Sequence, residues 1–242
     1  MRAPASGDPL FRAARAAAWL LTRWHRAELA GAERLPDGPV LLVGNHGLFG
    51  LETPVFFWLL HEATRRHPWG LADRVLFGND LVRPLLERVG GVVGTPANAA
   101  RLLADGNLVV CYPGGAREVF KRPAERYQLQ WEGCLGFARV AIAAQVPIVP
   151  FAGLGVDDAY LNLGHLRAAT ALLGRYAAPL ALGLGPLPLP FRLRFVLGRP
   201  IVPPSDPDGA PLLKAAVERS VRQLLASKGT HAVSAQPAPV VP

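Results

Sequence analysis

A histidine and a carboxylate held together can take a proton from a hydroxyl, and one stretch of this 242-residue chain offers that pair. Residues 39–54 read Pro-Val-Leu-Leu-Val-Gly-Asn-His-Gly-Leu-Phe-Gly-Leu-Glu-Thr-Pro. A short apolar strand delivers Asn45 and His46 into a glycine-containing loop, and Glu52 follows just before Thr53 and Pro54. Pro54 suits the first turn of a helix, where its missing N–H costs nothing, and Thr53 suits the N-cap. On one continuous helix a six-residue separation turns about 600°, which leaves the two side chains about 240° apart. Gly47 and Gly50 can supply the irregular backbone that folds the loop back and brings carboxylate to imidazole. The carboxylate would then accept a hydrogen bond from Nδ1–H and leave Nε2 to strip a hydroxyl. The same residues also fit a loop histidine bonded to backbone, with Glu52 a solvated charge that favours the helix dipole.

The second informative stretch, residues 108–118, reads Leu-Val-Val-Cys-Tyr-Pro-Gly-Gly-Ala-Arg-Glu. A strand ends at Gly114 and Gly115, where backbone without side chains can approach a ligand, and Arg117 offers a two-pronged donor for phosphate or carboxylate. Lys121, Arg122 and Arg126 follow, so this strand end carries a local excess of positive charge suited to the phosphates of a donor coenzyme. A tight turn with a surface Arg117–Glu118 pair and a solvated charged face is the plainer reading of the same residues.

The elements that would position these loops follow from periodicity. Alternating and β-branched runs predict strands near 40–43, 74–77, 108–112, 148–151 and 192–196, with a weaker one at 27–30. Helical spacing predicts helices near 55–66, 81–89, 97–104, 136–144 and 212–226. Strands alternating with helices imply an α/β fold with a mixed, largely parallel central sheet flanked by helices. Ahead of it, residues 9–26 set Leu10, Phe11, Leu20 and Leu21 against Arg12, Arg15, Arg23 and Arg26, with Trp19 and Trp24 between. That pattern fits a helix lying in a membrane interface and equally an amphipathic helix covering the core. The expected organisation is therefore a helix at 1–26, one domain at 27–228 and a disordered Ala/Pro/Ser/Val tail at 229–242.

Composition narrows the classes. Half of the residues are hydrophobic and 18% are charged, which is ample for a packed core. The net charge of +8 comes almost wholly from arginine, since the lysines are Lys121, Lys214 and Lys228 alone. Such a balance attracts nucleic acid, anionic lipid or anionic cofactors, but basic runs with interleaved aromatics and Cys/His finger spacings are absent, so nucleic acid is not expected. Two cysteines make no disulfide framework, and no secretory leader is legible, so a reducing compartment without export is expected. The oiliest region, 168–191, is interrupted by Arg175 and four prolines, so a spanning helix is not expected there; a surface loop pressing into lipid and a buried Pro-rich connection fit it equally.

Taken together, four ordered blocks resemble the superfamily of lysophospholipid and glycerol-phosphate acyltransferases. They are residues 44–52 (Gly-Asn-His-Gly-Leu-Phe-Gly-Leu-Glu), 90–98 (Gly-Gly-Val-Val-Gly-Thr-Pro-Ala-Asn), 112–118 (Tyr-Pro-Gly-Gly-Ala-Arg-Glu) and 146–151 (Val-Pro-Ile-Val-Pro-Phe). The superfamily's first block usually reads His, four residues, then Asp, whereas five residues and Glu stand here. Its third block usually reads Phe-Pro-Glu-Gly-Thr-Arg-Ser, whereas Gly114, Ala116 and Glu118 replace Glu, Thr and Ser. These departures, with residues 127–139, are similar to the branch of the transmembrane protein 68 type and the diacylglycerol acyltransferases.

The resemblance implies O-acyl transfer from an acyl thioester, coenzyme A or acyl carrier protein, to a lipid hydroxyl, with no metal or resident cofactor. His46 would be the base and Glu52 its support, while Asn45, Gly114, Gly115, Arg117 and Glu118 would shape the substrate site. It implies a thioester donor and a lipid acceptor, and the arginines with Trp19 and Trp24 of the 9–26 helix predict peripheral, monotopic association with the cytoplasmic face of a membrane. The second block lacks the arginine common in phosphate-acceptor enzymes, which favours a neutral acceptor over lysophosphatidate. A 1-acylglycerol-3-phosphate acyltransferase and a non-catalytic lipid-binding protein of the same fold are the alternatives. The few serines form no Gly-x-Ser-x-Gly elbow, and His61-Glu62 with His67 lacks the four-residue spacing of a helical zinc site.

Overall fold

The structure, a computed structural model, describes residues 7–80, 82–166, 178–182 and 188–227. Its centre is strand β2 (Val40–Gly44), whose five residues are all buried. A strand apolar on both faces belongs inside a sheet covered on both sides. β2 pairs in parallel with β5 (Leu108–Cys111) and with β6 (Ile148–Leu154). β5 pairs in parallel with β3 (Pro68–Ala72), which pairs in parallel with β4 (Gly91–Val93). Beyond β6, strand β9 (Arg194–Leu197) runs antiparallel to it, and β1 (Glu28–Ala30) lies parallel to β9. The seven-stranded order is β1-β9-β6-β2-β5-β3-β4, a mixed and largely parallel sheet as expected. Strands β7 (Leu161–Leu166) and β8 (Ala178–Leu182) form a separate antiparallel pair.

Alternation along the strands sorts the core into two layers. Leu41, Val43, Val109 and Ile148 meet helices α5 (Pro96–Ala104), α7 (Gly136–Ala144) and α8 (Ala210–Ala226) on one face. Val40, Leu42, Val110, Val149 and Phe151 meet α2 (Glu52–Thr64) on the other, through Val55, Phe56 and Leu60. Phe56 stacks between Phe151 and Phe195, with centroids 4.5 and 4.7 Å away. Each such fully buried side chain contributes roughly 1.5–3 kcal/mol.

Helix α1 (Pro9–Trp24) lies over α2 and also meets α4 (Arg83–Arg88). Asp8 caps it, accepting the Leu10 and Phe11 N–H groups, and ties it to α4 by a 2.9 Å pair with Arg88. Ala18 is buried and Phe11, Ala14 and Leu21 are half-buried, while Leu10, Trp19, Leu20 and Trp24 stay exposed. Arg15 departs from the expected outward row of arginines. It turns toward α2, stacks 5.0 Å over the Trp58 ring and donates to His61 Nε2 at 3.3 Å.

Two sequence expectations are corrected. Residues 74–77 form not a strand but the short helix α3 (Arg74–Phe77), because the Asp73 side chain caps the Val75 N–H at 3.0 Å. The strand there is β3, whose Pro68 and Gly70 hide it from a β-propensity reading although proline is tolerated at a strand's first residue. Helix α2 begins at Glu52 with Leu51 as N-cap, so Thr53 lies in the first turn rather than capping it. The Thr53 hydroxyl is directed instead to the Tyr112 hydroxyl at 3.3 Å. The expected tail at 229–242 and most of the oily region at 168–191 lie outside the described residues.

Candidate active site

The carboxyl ends of parallel strands are where an open α/β sheet leaves a crevice for ligands. Here β2 ends at Asn45-His46, β5 runs into residues 112–118, and β6 runs on to Asp157. Asn45 fixes the first of these ends, since its Nδ2 donates to the Gly153 carbonyl at 3.0 Å and its Oδ1 accepts the Gly153 N–H at 2.8 Å. Both halves of that buried amide are engaged across the β2–β6 junction, so Asn45 ties strands instead of facing a ligand as the sequence suggested.

The loop between β2 and α2 does bring its pair together. His46 Nδ1 and Glu52 Oε1 are 2.5 Å apart, with the side chains 14% and 3% exposed. Glu52 Oε1 also accepts the Gly47 N–H at 3.0 Å. Phe49 and Gly50 both adopt left-handed backbone, at φ 60° and 68°, and this reverses the chain within six residues. Glycine is required at 50 on a second count, because a Cβ there would lie 2.8 Å from His46 Cε1.

Burial by itself would raise the Glu52 carboxyl, but the adjacent His46 and the Gly47 N–H outweigh it and hold the group below the ordinary carboxylate range. Glu52 is thereby an acceptor, which fixes the proton of His46 on Nδ1. The imidazole plane is set by Tyr112, stacked at 3.9 Å with an 8° interplanar angle. Nε2 accepts no hydrogen bond from the described residues. Phe49 and Leu51, either side of Gly50 in the same loop, are exposed apolar residues.

The second loop departs from expectation. Glu118 does not face Arg117; it is fully buried and accepts the His46 N–H at 2.8 Å and the Gln130 N–H at 3.0 Å. Burial pushes its carboxyl up, and Lys121 with the two N–H groups opposes this without cancelling it. Exposed Arg117 donates instead to the Glu132 carbonyl at 3.1 Å and to Cys134 Sγ at 2.7 Å.

The expected excess of positive charge is also neutralised within the fold. Lys121 is buried against Asp157 at 2.8 Å, Arg122 bonds Glu125, and Arg126 pairs with Asp158. Gly114 is buried, and Gly115 takes φ 49° and ψ −131° at the entry to α6 (Ala116–Val119). Sequence reasoning missed Tyr112 and Lys121 as neighbours of His46, and Asp157 as the partner that holds Lys121 there. Only Tyr112 carried a signal, as an aromatic at the end of a strand adjacent to β2.

Residues 26–153, just over half of the chain, match the family described as Acyltransferase. The chain therefore belongs to the acyltransferase family. It is 32% identical over 185 residues to a Gallus gallus protein named "DGAT1/2-independent enzyme synthesizing storage lipids", covering 76% of this chain and 54% of that protein. The Homo sapiens protein of the same name is 32% identical over 185 residues, covering 76% and 56%. An uncharacterised protein of Mycobacterium tuberculosis strain H37Rv is 31% identical over 191 residues, covering 74% and 52%. The chain thus spans about half the length of these curated relatives. A crystal structure of the 1-acyl-sn-glycerophosphate (LPA) acyltransferase PlsC from Thermotoga maritima shares the fold. Its TM-score is 0.56 at 16% identity, covering 92% of this chain and 81% of that one.

Proposed function

We propose that this acyltransferase moves a fatty acyl group from an acyl thioester to a lipid hydroxyl, with His46 as general base. The observation that carries the reading is the His46–Glu52 pair itself, with Nδ1 bonded at 2.5 Å and Nε2 left open at the carboxyl end of β2. Nε2 takes the hydroxyl proton as the lipid oxygen attacks the thioester carbonyl carbon. Glu52 stabilises the imidazolium that forms, and the C–S bond then breaks with the thiolate sulfur receiving that proton. The protein itself is not acylated. Coenzyme A and acyl carrier protein both supply the thioester this chemistry needs.

The acceptor is an uncharged hydroxyl lipid such as a diacylglycerol, a monoacylglycerol or a long-chain alcohol. A phosphate monoester normally needs two cationic or two-pronged groups to offset its desolvation. In this loop Lys121, Arg122 and Arg126 each face a carboxylate, which leaves Arg117 to meet an anion. The name of the vertebrate relatives, with its storage lipids, points the same way. The outer side of α1, where Leu10, Trp19, Leu20 and Trp24 stand exposed among arginines, supports peripheral action at a cytoplasmic membrane face; among the described residues no helix is long and apolar enough to cross a membrane.

Purified protein with radiolabelled acyl-CoA and a panel of acceptors tests this. Product from a neutral acceptor, lost on His46→Ala, is expected. No turnover with either CoA or carrier-protein thioesters would favour a non-catalytic lipid-binding role. A lysophosphatidate preference of roughly tenfold, about 1.4 kcal/mol, would overturn the acceptor while keeping the reaction.

A further inference from the structure

We infer that Glu118 is a positioning residue for His46, holding the backbone of the base from beneath and not touching substrate. The inference rests on the proposed role of His46 and adds a second layer to that site. Glu118 is 0% exposed, and its two oxygens accept the N–H groups of His46 and Gln130 at 2.8 and 3.0 Å. On the other side of the same residue, Lys121 Nζ donates to the His46 carbonyl at 2.8 Å. Lys121 is held there by both oxygens of Asp157, at 2.8 and 2.9 Å, and Asp157 in turn accepts the Tyr127 N–H at 2.7 Å.

The two peptide groups that flank His46 are therefore gripped by side chains of opposite charge, each matched to its dipole. Fixing both peptide planes fixes the direction in which Cβ leaves the backbone. The Glu52 bond and the Tyr112 stack then fix the two side-chain torsions. Nothing about the imidazole is left to rotate, which matters because a misplacement of about 1 Å can lower a rate about 100-fold.

Gly114 completes the argument. Its φ lies outside the left-handed region, so its own backbone does not demand glycine. A Cβ at 114 would nevertheless sit 2.4 Å from both Cγ and Cδ of Glu118. Glycine stands at 114 so that the Glu118 side chain can pass over it to reach His46. Two of the three departures from the usual third block, Gly114 and Glu118, are in this chain one coupled feature.

The test uses Glu118→Gln, Gly114→Ala and the double variant, assayed with radiolabelled oleoyl-CoA and dioleoylglycerol in mixed micelles. Glu118→Gln turns one acceptor into a donor facing a backbone N–H, and Gly114→Ala displaces the carboxylate without changing its charge. Each is expected to lower kcat about 10- to 100-fold, with KM for both substrates within about threefold. Because both act through one contact, the double variant should be no worse than the more damaging single.

A second readout does not need turnover. The downfield proton resonance of the His46 Nδ1–H, assigned by its loss in Glu52→Gln, should broaden or move in both single variants. If Glu118→Gln fails to fold, Gly114→Ala carries the test. Unchanged kcat with an unchanged resonance would overturn the inference. So would a KM rise at constant kcat, which marks direct substrate contact, or additive losses in the double variant. Failure of His46→Ala to abolish turnover would instead strike the general-base reading, and the resonance would still report on the clamp.

Discussion

The loops that follow β2 and β5 hold similar groups and put them to opposite uses. After β2, His46 and Glu52 share one short hydrogen bond, and Nε2 remains open in a loop that exposes Phe49 and Leu51. After β5, Glu118 and Lys121 are bonded at every turn, to His46, Gln130 and Asp157. The difference teaches that a charged side chain near a strand end is read by what its atoms have left over. A group with a lone pair to spare can do chemistry, whereas one fully occupied by backbone and counter-charge can only hold something in place.

The sharpest way to break this comparison is to exchange the consequences. His46→Ala should lower turnover by about 10³-fold or more, within the range for a lost general base, and leave the melting temperature nearly unchanged. Glu52→Gln should cost less, about 10–100-fold, because the imidazole keeps its place while losing its carboxylate partner. Lys121→Met should do the reverse and act on stability first. It leaves Asp157 buried with a single Tyr127 N–H, and breaking a buried pair in this way costs about 3–5 kcal/mol. Denaturant unfolding of all three variants checks the contrast, and a stable Lys121→Met protein with normal turnover would erase it.

How much of this was legible follows the same line. The parallel-sheet strands 40–43 and 148–151 declared themselves because a strand buried on both faces is a continuous apolar run. The His46–Glu52 approach was legible because two glycines lie between the residues and a continuous helix forbids the contact. The β3 strand was not, since Pro68 and Gly70 lower its β-propensity while Arg-Val-Leu-Phe at 74–77 imitates a strand. Four residues are too few for periodicity to tell the two apart, and the deciding contact is the Asp73 cap. Glu118 and Lys121 were read as groups facing a substrate or solvent, because a charge run is normally solvated. Their burial depends on Gln130, Asp157 and the His46 peptide, which are distant or side-chain-free in the sequence.

A titration sets the second rank of prediction, away from both loops. His67 is packed between Phe11 and Trp69, and burial, followed by His61 and Arg15 nearby, lowers its pKa to about 4. The folded state thus keeps His67 neutral where the unfolded chain, near 6.5, takes up a proton. Stability is unaffected above the unfolded value and falls as pH drops from about 6.5 toward about 4. The shift of about 2.5 units corresponds to a loss on the order of 3 kcal/mol. His67→Phe should flatten the acid side of the stability profile, measured by denaturant midpoints between pH 7 and about 4, while the catalytic loops are untouched.

The smallest effect concerns α1, where one helix serves two surroundings. Its inner side packs on α2 through Ala18, Leu21 and the Arg15–Trp58 stack, so deleting the helix would disturb the core as well as any membrane contact. Point changes on the outer side separate the two. At about 100° per residue, Leu10, Ala17, Leu20 and Trp24 fall within a stripe about 80° wide, and Arg12 and Arg23 lie off one edge of it. Leu10 and Leu20 are 50% and 59% exposed, so seating each in a lipid interface would bury about half of a leucine, roughly 1 kcal/mol apiece. Leu10→Glu with Leu20→Glu should therefore weaken binding to phosphatidylserine-containing vesicles by at least about tenfold, more at low salt, where the added charges are repelled. Stability should move by no more than about 0.5 kcal/mol, as for surface changes in general. Flotation of the variant beside the parent protein measures the first and thermal melts the second. Equal flotation would mean that the exposed stripe is only the far side of a helix that covers the core, and that the membrane contact lies elsewhere on the molecule.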